Sequence, residues 1–294
     1  MSSKSRRCVW IAATLFLLGS ACSRPKPIVV GSMNGTGQGL VAEAVAQHLE
    51  HRLSRKIERR LNAGSQMIIY QSVAGSQITM YPEYTGAIVT GLLKEVPDPQ
   101  PAVVLERARA EMLRTAQLEL LDPLGYQNPP VMVVRAADAA EAKAKTLSDA
   151  AAGNFRWKIG LSYEFQQRPD GLTALNTYKL PMAQGIRGLE ATQLFPALQS
   201  GEVTMISSNA TDGNLTSPDF QILEDDRHAF PSAQACLLVR SDAFAAEPKL
   251  RPALAELAGK FSTEGVRKMA AQVDLNHRDP ALVASEFLAQ IGLK

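Results

Sequence analysis

Short apolar runs alternate with stretches of helical spacing along most of this chain. The runs at 28–30, 57–61, 131–134, 157–161, 203–206, 220–223 and 236–239 have the length of buried strands. Between them, Leu40, Val41, Ala44, Val45, His48 and Leu49 recur on one helical face. Met67, Ile68, Gln71 and Ala74 suit a second helix, and the stretches 103–118 and 189–198 suit two more. Thr146 or Ser148 can cap a short helix. Asp279-Pro280 reads as a cap with a first-turn proline, opening a terminal helix through Leu282, Val283, Glu286 and Phe287. This alternation predicts an α/β fold with parallel-type sheets covered by helices on both faces. There are no internal repeats and no low-complexity segments.

The N-terminus carries a different signal. Lys4, Arg6 and Arg7 precede an apolar run at 9–18 that is too short to span a bilayer. Gly19-Ser20-Ala21 then leads to Cys22, so residues 1–21 read as a lipoprotein signal peptide and Cys22 as the lipidated residue. Plain secretion with cleavage after Ala21 is the alternative. Ser5-Arg6-Arg7 hints at twin-arginine export, but the residues that follow fit general secretion better. Residues 22–27, with two prolines, form a tether. The expected location is the cell envelope, on the extracytoplasmic or periplasmic side.

Cleavage changes the charge. The 31 Lys and Arg fall to 28 without Lys4, Arg6 and Arg7, against 29 Asp and Glu. The one basic cluster, Arg52, Arg55, Lys56, Arg59 and Arg60, reads as a solvated helix end, and no nucleic-acid partner is expected. With Cys8 removed and Cys22 lipidated, Cys236 remains as a core thiol, and no disulfide forms within the mature chain. The mature length suits two lobes rather than one.

Chemistry concentrates in Tyr81-Pro82-Glu83-Tyr84-Thr85-Gly86, where a strand end turns into a helix. Two tyrosines, a carboxylate and a hydroxyl stand where α/β proteins bind ligands. A structural turn with one buried tyrosine is the competing reading. The segment resembles the glycine betaine/choline class of ABC-transporter substrate-binding proteins. Further matches follow in order: Ile28-Val29-Val30-Gly31-Ser32, Pro123-Leu124-Gly125, then Glu164-Phe165 with Arg168, Asp170, Gly171 and Leu172, then Thr211-Asp212-Gly213 and Leu223-Glu224-Asp225-Asp226. The resemblance covers nearly everything from 28 to 294.

It implies a two-lobed, periplasmic-binding-protein-like (type II) fold. One lobe comprises 28–127 and 232–294, the other 128–231, with a ligand cleft between them. It implies ligand contacts from Ser32, Met33, Asn34, Tyr84, Thr85, Pro130, Arg168, Asn209, Thr211 and Ala233. Arg168 would grip a ligand carboxylate, or else pair with Asp170. Tyr84 would form one wall of an aromatic cage. The other cage positions fall near Pro130, Asn209 and Ala233, and none is aromatic. Met33 stands where betaine binders often have Lys, and Ala87 where they often have Thr. Tyr126 and Tyr163 are neighbouring aromatics that could substitute.

The expected function is delivery of a small zwitterionic or polar solute to an ABC permease and its ATPase, as a lipid-anchored monomer without cofactor, metal or catalysis. A solute-sensing envelope lipoprotein of the same fold is the alternative, and an envelope enzyme is less favoured. The sequence has no G-x-S-x-G elbow. Gly35-Thr36-Gly37-Gln38-Gly39 fails the dinucleotide spacing. His48 and His51 read as solvated side chains rather than metal ligands.

Overall fold

The computed structural model describes residues 27–96, 98–168 and 170–293. Its strands form two five-stranded sheets. The first runs β2 (Glu58–Arg60), β1 (Val29–Gly31), β3 (Met80–Tyr84), β10 (Ala235–Arg240), β4 (Leu118–Leu120). The second runs β7 (Arg187–Leu189), β6 (Ile159–Ser162), β8 (Met205–Asn209), β5 (Pro130–Arg135), β9 (Phe220–Leu223). Apolar cores lie on both faces of each sheet. The chain shows the type II binding-protein architecture.

Both sheets are mixed, which corrects the parallel-type expectation. β1, β2 and β3 are parallel, and β10 lies antiparallel to β3 and β4. Likewise β6 is parallel to β7 and β8, while β5 opposes β8 and β9. The reversed strand is the one that arrives from the other sheet: β5 follows the connection 121–129, and β10 follows 224–234. A chain crossing in at the cleft edge runs away from it, whereas the local strand–helix units run towards it. The two connections lie side by side, with Asn128 N–H donating to Ala233 O at 3.0 Å and a bridge between Gln127 and Gln234.

β3 explains the Tyr-Pro-Glu-Tyr sequence. Its residues are all buried, which ordinarily disfavours a proline. Thr85 N–H points to Gln234 O beside β10 at 3.0 Å, so strand alternation aims the 82 and 84 nitrogens the other way. On that side β1 pairs with β3 only at Met80. Pro82 therefore has no N–H to leave stranded. The Tyr84 N–H is taken by the Glu83 carboxylate, Oε1, at 2.7 Å.

The helices of the first sheet include α1 (Thr36–Leu53) and α2 (Gln66–Ala74). Thr146 and Asp149 form a capping box on the helix Leu147–Ala152. Asp279 caps Pro280–Gln290, accepting from Leu282 N–H at 2.9 Å. The helix expected at 103–118 is Pro101–Ala116, ended by left-handed Gln117 at φ 53°. The helix expected at 189–198 begins as β7, and Leu194–Ser200 is its regular part. His48 is a further correction: it is fully buried, with Nε2 bonded to Ala253 O at 2.8 Å. Cys236 is a buried free thiol.

Candidate functional site

A cleft of about 630 Å³ opens where the ends of β1 and β3 and the start of α1 face the loops after β6 and β8. The fold brings α1 in closely: a side chain on Gly37 would meet Thr211 Oγ1 at 3.2 Å. Thr36, Gly37 and Gln38 all line the cleft. α1 has 18 residues, no acidic residue in its first turn and no side-chain cap. Its unpaired N–H groups and positive dipole end therefore favour an anionic group. Gln38 is 6% exposed, and its amide nitrogen and oxygen have no aligned partner among the described residues. The Tyr84 hydroxyl is the polar group beside it, and a buried amide so poorly bonded has hydrogen bonds that a solute can restore.

Tyr84 ends β3, and among the described residues it is the one aromatic side chain in the lining. Its hydroxyl accepts from Asn128 Nδ2 at 3.1 Å, and its ring meets Tyr126 edge-on at 6.3 Å. Burial raises its pKa above the usual phenol value, so the hydroxyl is protonated at neutral pH. Asn128 Oδ1 accepts from Thr211 N–H at 3.0 Å and Thr211 Oγ1 at 2.9 Å. One amide thus ties the aromatic wall, the first connection and the loop after β8 together.

The lining is acidic. Among the described residues it holds four carboxylates, Glu164, Asp170, Asp212 and Asp274, and one guanidinium, Arg168. Asp274 has its pKa raised by burial and accepts from the Thr36 hydroxyl at 2.6 Å. Arg168 is held by Asp170 through a two-bond fork. That is the pairing alternative rather than a free carboxylate clamp.

Met33, Asn34, Tyr84, Pro130, Arg168, Asn209, Thr211 and Ala233 all line the cleft. Ser32 and Thr85 lie behind it. Ser32 is fully buried and its Oγ accepts from Asn62 N–H at 2.8 Å. Thr85 is fully buried with its hydroxyl towards Ser232 O at 3.5 Å. Tyr126 is buried behind Tyr84, and Tyr163 is 52% exposed outside the lining. Ala87 is in the wall. Cys22 lies outside the described residues. Sequence reasoning passed over Gln38, Gln66 and Asn128, all of which line the cleft. Gln38 stands in the glycine loop weighed only as a dinucleotide turn, and Asn128 precedes Pro129-Pro130. Among the described residues no acidic, His and Cys side chains group as a metal site. No helix among them is long and apolar enough to cross a membrane.

Residues 26–290 match the family described as the substrate binding domain of ABC-type glycine betaine transport systems. The chain is 25% identical over 288 residues to the carnitine transport binding protein OpuCC of Listeria monocytogenes, covering 95% of this chain and 92% of that protein. It is 24% identical over 285 residues to the ergothioneine transport permease/ergothioneine binding protein EgtU of Helicobacter pylori, covering 96% of this chain and 51% of that protein. A crystal structure of a glycine betaine/carnitine/choline ABC transporter shares the fold, with a TM-score of 0.81 at 22% identity over 90% of this chain and 99% of that one.

Proposed function

The chain belongs to the family of substrate-binding domains of ABC-type glycine betaine transport systems, and from that premise we propose that it captures a solute with a cationic head and passes it to a permease. The charge of the cleft carries this reading: among the described residues its lining holds four carboxylates and one guanidinium, and Asp170 already holds that guanidinium. An entering anion meets repulsion there. A quaternary ammonium meets carboxylates and the face of Tyr84.

The start of α1, with Gln38 beside it, supplies donors for a carboxylate at the other end of the solute. Carnitine, ergothioneine and glycine betaine each join a trimethylammonium to a carboxylate. Glycine betaine is the smallest of them. A cleft of about 630 Å³ with a single aromatic wall holds it poorly. The preferred solute is a larger zwitterion of this kind.

Residues 28–127 with 232–294 act as one lobe and 128–231 as the other, closing on the solute. The protein works as a monomer, beside a permease and its ATPase, on the extracytoplasmic face. Lipid on Cys22 holds it there; the basic start, the apolar run and the small residues before Cys22 support this. Its work is binding and release, with no bond made or broken. Calorimetry with choline, glycine betaine, carnitine, ergothioneine and glutamate tests the reading. Carnitine or ergothioneine binds most tightly on this proposal. Glutamate binding more tightly than every cationic solute would overturn it.

A further inference from the structure

Glu83 is fully buried under the cleft wall, and three donors converge on it. Tyr81 Oη donates to Oε2 at 2.8 Å, Tyr84 N–H to Oε1 at 2.7 Å, and Gln66 Nε2 to Oε2 at 3.1 Å. In all three bonds the carboxyl oxygens accept; burial raises the Glu83 pKa, and these same three bonds oppose that rise. An amide nitrogen only donates, so Glu83 fixes which end of the Gln66 carboxamide points inward. The oxygen goes the other way, to Gly91. A side chain there would bring its Cβ within 2.2 Å of Gln66 Oε1. Gln66 and Gly91 both line the cleft, and Gly91 belongs to a π-helical turn, Ile88–Leu92, the kind of irregularity that collects at functional sites.

We infer that Glu83 determines specificity through Gln66: by holding the amide NH₂ it leaves the carbonyl oxygen to the cleft, so this wall accepts a hydrogen bond from the solute and gives none. The inference rests on the proposed capture of cationic solutes. A hydroxyl or N–H on the solute gains a partner here; a solute with only methyl groups at that point gains none. Glu83 is a positioning residue, and Gln66 makes the contact.

Two matched pairs of probes isolate the effect. Carnitine and γ-butyrobetaine differ by one hydroxyl. Dimethylglycine and glycine betaine differ by an N–H in place of a methyl. The parent binds the donor-bearing member of at least one pair about tenfold more tightly, one hydrogen bond's worth. Glu83→Gln frees Gln66 to turn over and brings that ratio to about one. In a Gln66→Leu background the same change leaves the ratio unmoved. Gly91→Ala displaces Gln66 without touching Glu83 and has the same effect on the ratio, which covers the case where Glu83→Gln does not fold. A uniform loss for both members of each pair, or additive losses in the double variant, would make Glu83 merely structural and overturn the inference. If the parent binds none of these four and neither choline nor ergothioneine, the functional reading fails by itself. The Gln66 side-chain amide resonances then still decide the inference: they are protected from exchange in the parent and lose that protection in Glu83→Gln or, failing that, Gly91→Ala, and unchanged signals would overturn it.

Discussion

The guanidinium of Arg168 closes on the carboxylate of Asp170, with Nε to Oδ1 at 2.9 Å and Nη2 to Oδ2 at 2.6 Å. The Asp170 side chain is 5% exposed, and Glu164 stands 3.9 Å from Nη1. A buried carboxylate needs that partner, and a solute carboxylate would have to compete with it. The pair is better read as a fixed part of the wall than as a free clamp.

Arg168→Ala is therefore expected to act on stability first. It strands Asp170, costing roughly 1–3 kcal/mol, less than for a fully buried pair because Arg168 is partly exposed. It also makes the cleft more negative, so choline or carnitine still binds. Urea denaturation and calorimetry on the same preparation separate the two effects. Lost binding with an unchanged urea midpoint would show that the guanidinium grips the solute after all.

Asn128 should behave differently. Its carboxamide bonds Tyr84 and Thr211 at once, across the two sheets. Asn128→Ala leaves the Thr211 N–H and the Tyr84 hydroxyl without these partners, at about 1–3 kcal/mol. The expected signature is a lower melting temperature together with a faster solute off-rate, because Tyr84 and Thr211 lose the side chain that ties them together. Asn128→Asp keeps the acceptor for Thr211 and so should recover part of the stability. An alanine variant as stable as the parent would remove this tie from the account.

The strands at 28–30, 131–134 and 236–239 were legible because central strands bury both faces and read as unbroken apolar runs. β4 and β7 were not. Each is a three-residue edge strand carrying a charge, Glu119 in one and Arg187 in the other, with too little pattern to register. The reversed direction of β5 and β10 is set by where the chain enters each sheet, and no local pattern encodes it. In the site, Tyr84 and Arg168 stood out by residue type, whereas Gln38, Gln66 and Asn128 are uncharged amides whose roles exist only through distant partners. His48 misled because a helical histidine looks alike in sequence whether it meets water or a carbonyl such as Ala253 O.

Alkaline pH should loosen the fold. Burial pushes the Cys236 thiol up to about 12, and raises the phenols of Tyr81, Tyr84 and Tyr126. The folded chain then keeps protons that the unfolded chain releases, beginning near about 8.5 for a thiol and about 10 for a phenol. More protons bound in the native state means stability falling as pH rises through that window. Urea midpoints should drop between pH 8 and 10.5, and Cys236→Ala should flatten the first part of the fall. Midpoints that hold level across this range would contradict the burial argument.

Anchoring is tested at Cys22. On the proposed lipoprotein reading Cys22→Ser removes the thiol that takes the lipid, and among the described residues no helix is long and apolar enough to cross a membrane. Cys22→Ser is expected to move the protein from the membrane to the soluble fraction. A variant that sediments with membranes as the parent does would end the lipoprotein reading.

The missing cage can be partly rebuilt. Asn209 ends β8 directly opposite Pro130, and both line the cleft with Tyr84 and Ala233. Its side chain is exposed to that space, so a larger one needs no repacking of the core. A tyrosine there adds a second π face for a quaternary ammonium, worth about 0.5–2 kcal/mol, or roughly 2- to 30-fold in affinity. Asn209→Tyr should therefore tighten glycine betaine binding by that factor. Asn209→Leu is the control, since it adds apolar surface without a quadrupole. Tyr84→Ala should weaken binding by a similar factor in either background, because each wall faces the same charge. If the tyrosine variant binds glycine betaine no better than the leucine variant, the ammonium does not sit between Tyr84 and position 209. The cationic head would then have to be placed elsewhere in the cleft.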